Sequence, residues 1–414
     1  MSDARAEYQR REQRFWDAVA LKKPDQIPLM PMLDFFPAKR LGLTVEEVMY
    51  DPEKMIGAWM QYLDEYQPDR AENPFPLRGF ARLLEVLDFQ HLKWAGHGLP
   101  ADMSYQFVEL ELMKADEYDH FINDMSDFMI RKYIPRVHKG LAGLAKLPPL
   151  SQQISYFWGL YNFAAVADPE VQAAFEVLKN AAAEARAVLG NAARFGKMAA
   201  DKGFPPASGG YTQVPLDTLG DVFRGTRDIM MDFRRRPDQV MAACEKLLPL
   251  MLEMGLNACK RSGVPICFIP LHKCMDSFIS PDQFQKFYWP HMKQLLEGLI
   301  AENITPWVLV EGVCDQRLES FAQVTPGKVV YHLEGSDIFR AKKIMRDVAC
   351  LRGNMPPSIM SAGAPDDVRD YAKKLIDVVG EGGGFIMGCA TSITDAREEN
   401  VRALFDYTRE HGRY

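Results

Sequence analysis

The sequence predicts an α/β fold, a (β/α)8 TIM barrel with an N-terminal helical cap and a helical insertion. Three observations point there. Short apolar strand patterns alternate with helical patterns of ten to fifteen residues through the second half of the chain, which is the signature of parallel βαβ units. The 414-residue length accommodates eight such units plus an insertion. No glycine fingerprint links a strand to a helix as an open dinucleotide-binding sheet would require, and the run Glu381–Phe385 (EGGGF) precedes a strand and reads as a turn.

Taken in order, Met1–Lys23 is charged and helical and forms the cap, within a segment 1–25, and the barrel occupies 26–414. Ile27–Leu33 is the first strand. From about residue 95 to 204 the pattern is mostly helical, including the Ala-rich stretch Val171–Arg194, and this insertion is expected to cover the barrel mouth. Strands follow at Val264–Leu271, Ile304–Val310, Lys328–His332, Ala349–Gly353 and Gly384–Cys389. Helices are expected between and after them at Pro281–Ala301, Asp337–Asp347, Pro365–Val379 and Ala396–Glu410.

Composition narrows the function classes. With 47% hydrophobic and 25% charged residues the chain is an ordinary globular one, and a formal charge of −7 disfavours nucleic acid and anionic membranes. No apolar run reaches the ~20 residues of a membrane span, and the charged start lacks the core of a secretory signal, so a cytoplasmic location is expected. Seven cysteines, all at or beyond Cys244, suggest reduced thiols rather than a disulfide framework.

Barrel active sites gather where strands end and βα loops begin, so the polar residues there are the candidates. They are Asp34, His272 with Cys274, Glu311 with Cys314, His332, Asn354 and Cys389. Neighbouring strands lie ~5 Å apart, close enough for their ends to share one metal ion. The bland readings carry weight: a strand-end Cys is more often a small buried hydrophobe, and a single His a hydrogen-bonded polar residue. Glu311 stands out, since a carboxylate directly after a seven-residue apolar strand is costly to bury unless paired or metal-bound. The His272-Lys273-Cys274 pair ranks below it, because two side chains one residue apart share a face only if the strand continues past Leu271. Phe35, Phe36, Tyr156, Phe157, Trp158 and Tyr211 near loops would suit a flat apolar ligand. No serine elbow, phosphate loop or H-E-x-x-H is present.

Several blocks of sequence resemble the uroporphyrinogen decarboxylase superfamily, and within it the cobalamin-dependent methyltransferase branch. They are PLMPMLDFFPAKRLG, VPLDTLGDVFRGTRDIMMDFRRRPDQV, VEGVCDQRLESF, VVYHLEGSDIFRAKKIMRD and LRGNMPPSIMSAGAPDDVRDYAKKLID. The decarboxylases carry an Arg-Gln-Ala-Gly-Arg element near the N-terminus, where this chain has LDFFPAKRLG, with only Lys39 and Arg40 close to the first strand's end. Aromatic O-demethylase methyltransferases are similar in the EG..D.RLE block and place twenty residues between their last Glu and a His, as Glu311 and His332 are placed here. The resemblance implies a zinc ion (Zn2+) held by Glu311, His332 and Cys389 and acting as a Lewis acid on a methyl ether oxygen. Asp34 and His272 would be catalytic and Phe35, Phe36 and Tyr211 would bind substrate. The methyl group would pass from a small-molecule methyl donor, an aromatic ether, to cobalamin carried by a separate corrinoid protein. A homodimer is the base-rate expectation for the oligomeric state. The alternatives are a metal-free decarboxylase centred on Asp34 and a non-catalytic subunit that binds a corrinoid protein.

Overall fold

The computed structural model describes residues 2–414. Its strands are β1 (Leu92–Ala95), β2 (Gly98–Leu99) and β3 (Tyr105–Phe107) in one small sheet, and β4 (Gly210–Tyr211), β5 (Ile266–Leu271), β6 (Thr305–Val310), β7 (Val330–Leu333), β8 (Cys350–Met355) and β9 (Phe385–Cys389) in another. The second sheet is parallel throughout and runs in chain order. Two extended segments close it into an eight-membered ring. Residues 28–30 exchange backbone hydrogen bonds with Met387, Asp69 N–H donates to Leu29, and Ala71 bonds both Pro205 and Ala207 ahead of β4. This is the barrel the alternating pattern predicted, with helices between its strands.

Strand alternation sorts side chains between two cores. Met30, Met32, Ala207, Ile266, Trp307, Val330, Cys350 and Ile386 fill the lumen, whereas Leu29, Leu33, Ile269, Val308, Tyr331, Leu351 and Met387 face the helix layer. The first helix, Ser2–Val19, seals the N-terminal end of the lumen with Phe15, Ala18 and Val19. Arg14 of that helix pairs with the buried Asp69, and Arg11 donates to Gly203 O at 2.8 Å.

The long connection from Ala71 to Ala207 differs from expectation in two respects. It holds the β1–β3 sheet, after two short helices at Phe75–Arg78 and Ala81–Leu87, and the 33-residue helix Pro169–Asp201 runs along the flank, so that the turn after it reaches the cap helix at Ala4 and Glu7. The structure thus places this helix beside the barrel rather than across its mouth. Tyr105 of β3 comes close enough to the mouth to sense Asp34, Arg78 and Glu311. No described helix is long and apolar enough to cross a membrane.

Candidate active site at the barrel mouth

The two-residue period that puts apolar side chains in the lumen continues past the strand ends and changes chemistry there. Residues in phase with Met32, Ala207, Ile266, Trp307, Val330 and Cys350 are Asp34, Tyr211, His272, Glu311, Glu334 and Asn354, and Glu72 joins them from the second extended segment. These residues ring the C-terminal mouth.

His272 is the centre of the ring's charge. Its Nδ1 lies 2.5 Å from Asp221 Oδ2, and its Nε2 lies 3.5 Å from Glu311 Oε1 on the adjacent strand end. Burial pulls the imidazole toward its neutral form, but the bonds to Asp221 and Glu311 and the field of Asp217 outweigh it and hold the pKa up at about 11. Asp221 sits on the turn Leu219–Arg224 and is paired as well with Lys273 Nζ at 2.6 Å. Behind it the wholly buried Asp217 accepts from Lys273 N–H at 2.7 Å and Tyr288 O–H at 2.6 Å, and burial raises its pKa to about 7. Asp217 therefore fixes the start of the loop after β5, and with it the direction of His272.

On the opposite side of the mouth Asp34 accepts from Arg78 Nε and Thr394 Oγ1, each at 2.8 Å. Arg352 of β8 points inward over the Trp307 ring, 4.2 Å from its centroid, and stands 3.7 Å from Glu72. Sequence reasoning expected only Lys39 and Arg40 here. Those two pair with Asp395 and Glu65, and the arginines beside the site are Arg78 and Arg352. Arg352 was legible from its phase with Cys350, whereas Arg78 comes from a four-residue helix that only the tertiary fold brings to Asp34. A cavity of about 470 Å³ adjoins Glu334 and Asn354 and is also lined by Ser336, Asp337, Phe339 and Tyr371.

Several expected residues fall elsewhere. Phe35 and Phe36 are 0% and 2% exposed and pack on Trp59 and Tyr66 in the outer core, because the chain turns into the helix Phe36–Lys39 directly after Asp34. They line no substrate site, whereas Tyr211 stays half-exposed at the mouth. Cys274 leaves His272 and lies with its Sγ 3.3 Å from that of Cys314 in the outer core.

The three proposed zinc ligands are not brought together. His332 is fully buried in the lumen beside Arg352, and its Nε2 donates to the Cys389 carbonyl at 2.7 Å, which leaves Nδ1 as a free lone pair. Cys389 is out of phase with the lumen residues of β9, so its thiol belongs to the outer core, where burial pushes its pKa up to about 12. Glu311 is engaged with His272 instead. Among the described residues no three His, Cys, Asp or Glu side chains gather around a point that could hold a metal ion. A set of Glu311, His332 and Cys389 therefore does not fit zinc as placed.

A charged mouth over a closed eight-stranded lumen is the frame into which comparisons with known proteins fit. Residues 207–411 match the uroporphyrinogen decarboxylase (URO-D) family model. A uroporphyrinogen decarboxylase of Chloroherpeton thalassium is 25% identical over 172 residues, and one of Pseudoalteromonas atlantica is 30% identical over 138. These alignments cover 40% and 32% of this chain and 46% and 38% of the relatives, so the chain spans less than half the length of either. A methyltransferase from Methanosarcina mazei has the same fold, with a TM-score of 0.61 at 15% identity over 97% of this chain and 98% of that one. Over residues 207–411, the part that carries β4 to β9, the chain is similar to the uroporphyrinogen decarboxylase family, and its whole length has the fold of the methyltransferase.

Proposed function

We propose that this protein is a methyltransferase that takes a methyl group from a small methyl donor, an aromatic methyl ether in the leading reading, and passes it to a corrinoid carried by a separate protein. The observation that carries the reading is the placement of His272, whose two ring nitrogens face the carboxylates of Asp221 and Glu311 at the rim of the lumen, an arrangement that favours the imidazolium. Breaking a C–O bond by attack at the methyl carbon leaves an alkoxide or phenoxide, which needs a proton or a Lewis acid. The corrinoid, when docked over the mouth, supplies the nucleophile. His272 Nε2–H gives its proton to the departing oxygen, while Asp221 holds the opposite ring nitrogen and keeps the imidazole aimed. Glu311 relinquishes Nε2–H when the donor oxygen arrives and stabilises the imidazolium until then. Tyr211 flanks this point, and the cavity beside Glu334 and Asn354 is large enough for a single aromatic ring. The fold shared with a methyltransferase supports the reading. No step is routed through zinc, because the implied ligand set does not assemble.

Incubation with a reduced corrinoid protein and a panel of aryl methyl ethers tests this directly. Methylcobalamin absorbance should appear, and His272→Ala should abolish it; a variant as fast as the parent would sink the role of His272.

A metal-free decarboxylase is the second reading, favoured by Arg78 and Arg352 near Asp34 and Glu72, which could meet a carboxylated substrate. Release of CO2 from a porphyrinogen carboxylate without methylcobalamin formation would establish it.

A further inference from the structure

The flank helix Pro169–Asp201 and the segment before it expose more apolar surface than a lone chain has reason to. From Leu147 to Ala167 there is no charged residue. Within that stretch Ile154, Tyr156, Phe157, Trp158, Tyr161 and Phe163 all face solvent, with Tyr156 93% and Trp158 78% exposed. At ~150–250 Å² per large side chain, this arm presents roughly 1,000 Å² of apolar surface. That exceeds the ~300–600 Å² of the largest patch on a typical monomer and matches the ~800 Å² each partner gives to a stable interface.

The helix continues the same surface. Val171, Ala174, Ala181, Phe195 and Ala199 bury its inner row on the body of the protein. Beside that row, Phe175, Leu178, Ala182, Ala185, Leu189 and Ala192 recur at alternating three- and four-residue steps, the spacing of a helix-pairing seam. Leu189 is 68% exposed and Phe175, Leu178 and Ala182 are also exposed, so the body leaves most of this second row uncovered and only its last member, Ala192, packs against the core.

We infer that this face is a self-association surface on which a second copy of the chain packs, the two long helices running antiparallel about a twofold axis near Ala182, with each apolar arm laid on the other copy. Charge selects that occupant and that direction. The first half of the helix carries Glu170, Glu176 and Glu184 against a single Lys179, and the second half carries Arg186, Arg194 and Lys197 against a single Asp201. An antiparallel copy sets the acidic half against the basic half at both ends, whereas a parallel copy sets like against like. A seam whose central residues are small and apolar, next to an uncharged arm, has the composition of a permanent interface rather than of a transient one.

Sedimentation velocity over a wide concentration range tests this on the full chain. The parent should sediment as a dimer. Leu178→Glu with Leu189→Glu should raise its dissociation constant by at least about a hundredfold, since each change buries a charge in the interface, while the circular dichroism stays that of the parent. If the helix variant fails to fold, Tyr156→Ser with Trp158→Ser on the arm should weaken the dimer in its place. All seven native cysteines are buried, so introduced thiols report cleanly. Ala182→Cys should form a cross-linked dimer on mild oxidation, and Phe175→Cys should not. A monomeric parent, a dimer unmoved by both pairs of changes, or self-linking of Phe175→Cys in place of Ala182→Cys would each overturn the assignment. So would a monomer that uses this surface for lipid vesicles or a corrinoid protein.

Discussion

His272 is a histidine that stays charged at neutral pH because two carboxylates flank it. Its pKa is raised above the unfolded value of ~6.5, so its contribution to stability is complete below that pH and is lost as pH rises toward about 11. The melting-temperature gap between the parent and His272→Gln should therefore narrow steadily as alkaline pH is approached. Methyl transfer should stay flat through neutral pH, and Asp221→Asn should bring its falling limb down toward the ordinary imidazole range, as a pH–rate profile will show. Glu311→Gln should act in the same direction and preserve the fold, because Glu311 is more than one-third exposed. A substantial loss of stability in that variant would mean that Glu311 also anchors the loop. Cys389→Ser separates the metal-ligand expectation from the packing seen here. It should leave bound zinc, measured by elemental analysis, unchanged, and cost about 1–3 kcal/mol through an unpartnered hydroxyl in the core.

At the scale of elements, the turn Leu219–Arg224 determines whether Asp221 can reach His272. Arg224 anchors the end of that turn. It is 2% exposed, its Nε donates to the buried Asp232 at 2.7 Å, and its Nη1 bonds Glu111 at 2.7 Å and the Met113 carbonyl. Tyr118 O–H donates to the same Asp232 carboxylate at 2.8 Å. Arg224→Met leaves Asp232 buried with its main cation gone, and a cost of ~3–5 kcal/mol is expected by chemical denaturation. Activity should fall further than the folded fraction does, because the turn carrying Asp221 loses its tie to the segment at Glu111–Met113. A variant of normal stability would show that Tyr118 and Arg236 suffice to hold Asp232.

For the whole molecule, the cap helix and the barrel are one cooperative body. Phe15 is the plug of the lumen's lower end, 2% exposed and packed with Trp307, Met30 and Ile386 among others. Phe15→Ala should lower unfolding stability by ~3–5 kcal/mol in a single transition. Two separate melting transitions, with only the first one shifted, would instead make the cap an independent unit. The mouth lies at the other end of the same strands, so the substitution should leave the affinity of the remaining folded protein for its methyl donor unchanged.

Much of the barrel was legible because its strands are short apolar runs whose chemistry changes abruptly at the end, and β5 to β9 fall within a few residues of their expected positions. Their position directly after those runs marked Asp34, His272 and Glu311 as candidates for the mouth. Cys389 was expected as a zinc ligand, but it follows Gly388 on β9 and so faces the helices. What only the tertiary structure decided is which groups meet. Asp221 and Asp217 lie on a helix and turn some fifty residues before His272, Arg78 reaches Asp34 from a four-residue helix, and the long helix lies on the flank rather than over the mouth. Such pairings depend on how loops of no regular period are folded against the barrel. A one-dimensional pattern records the face on which a strand residue sits, but not the partner that a loop residue finds.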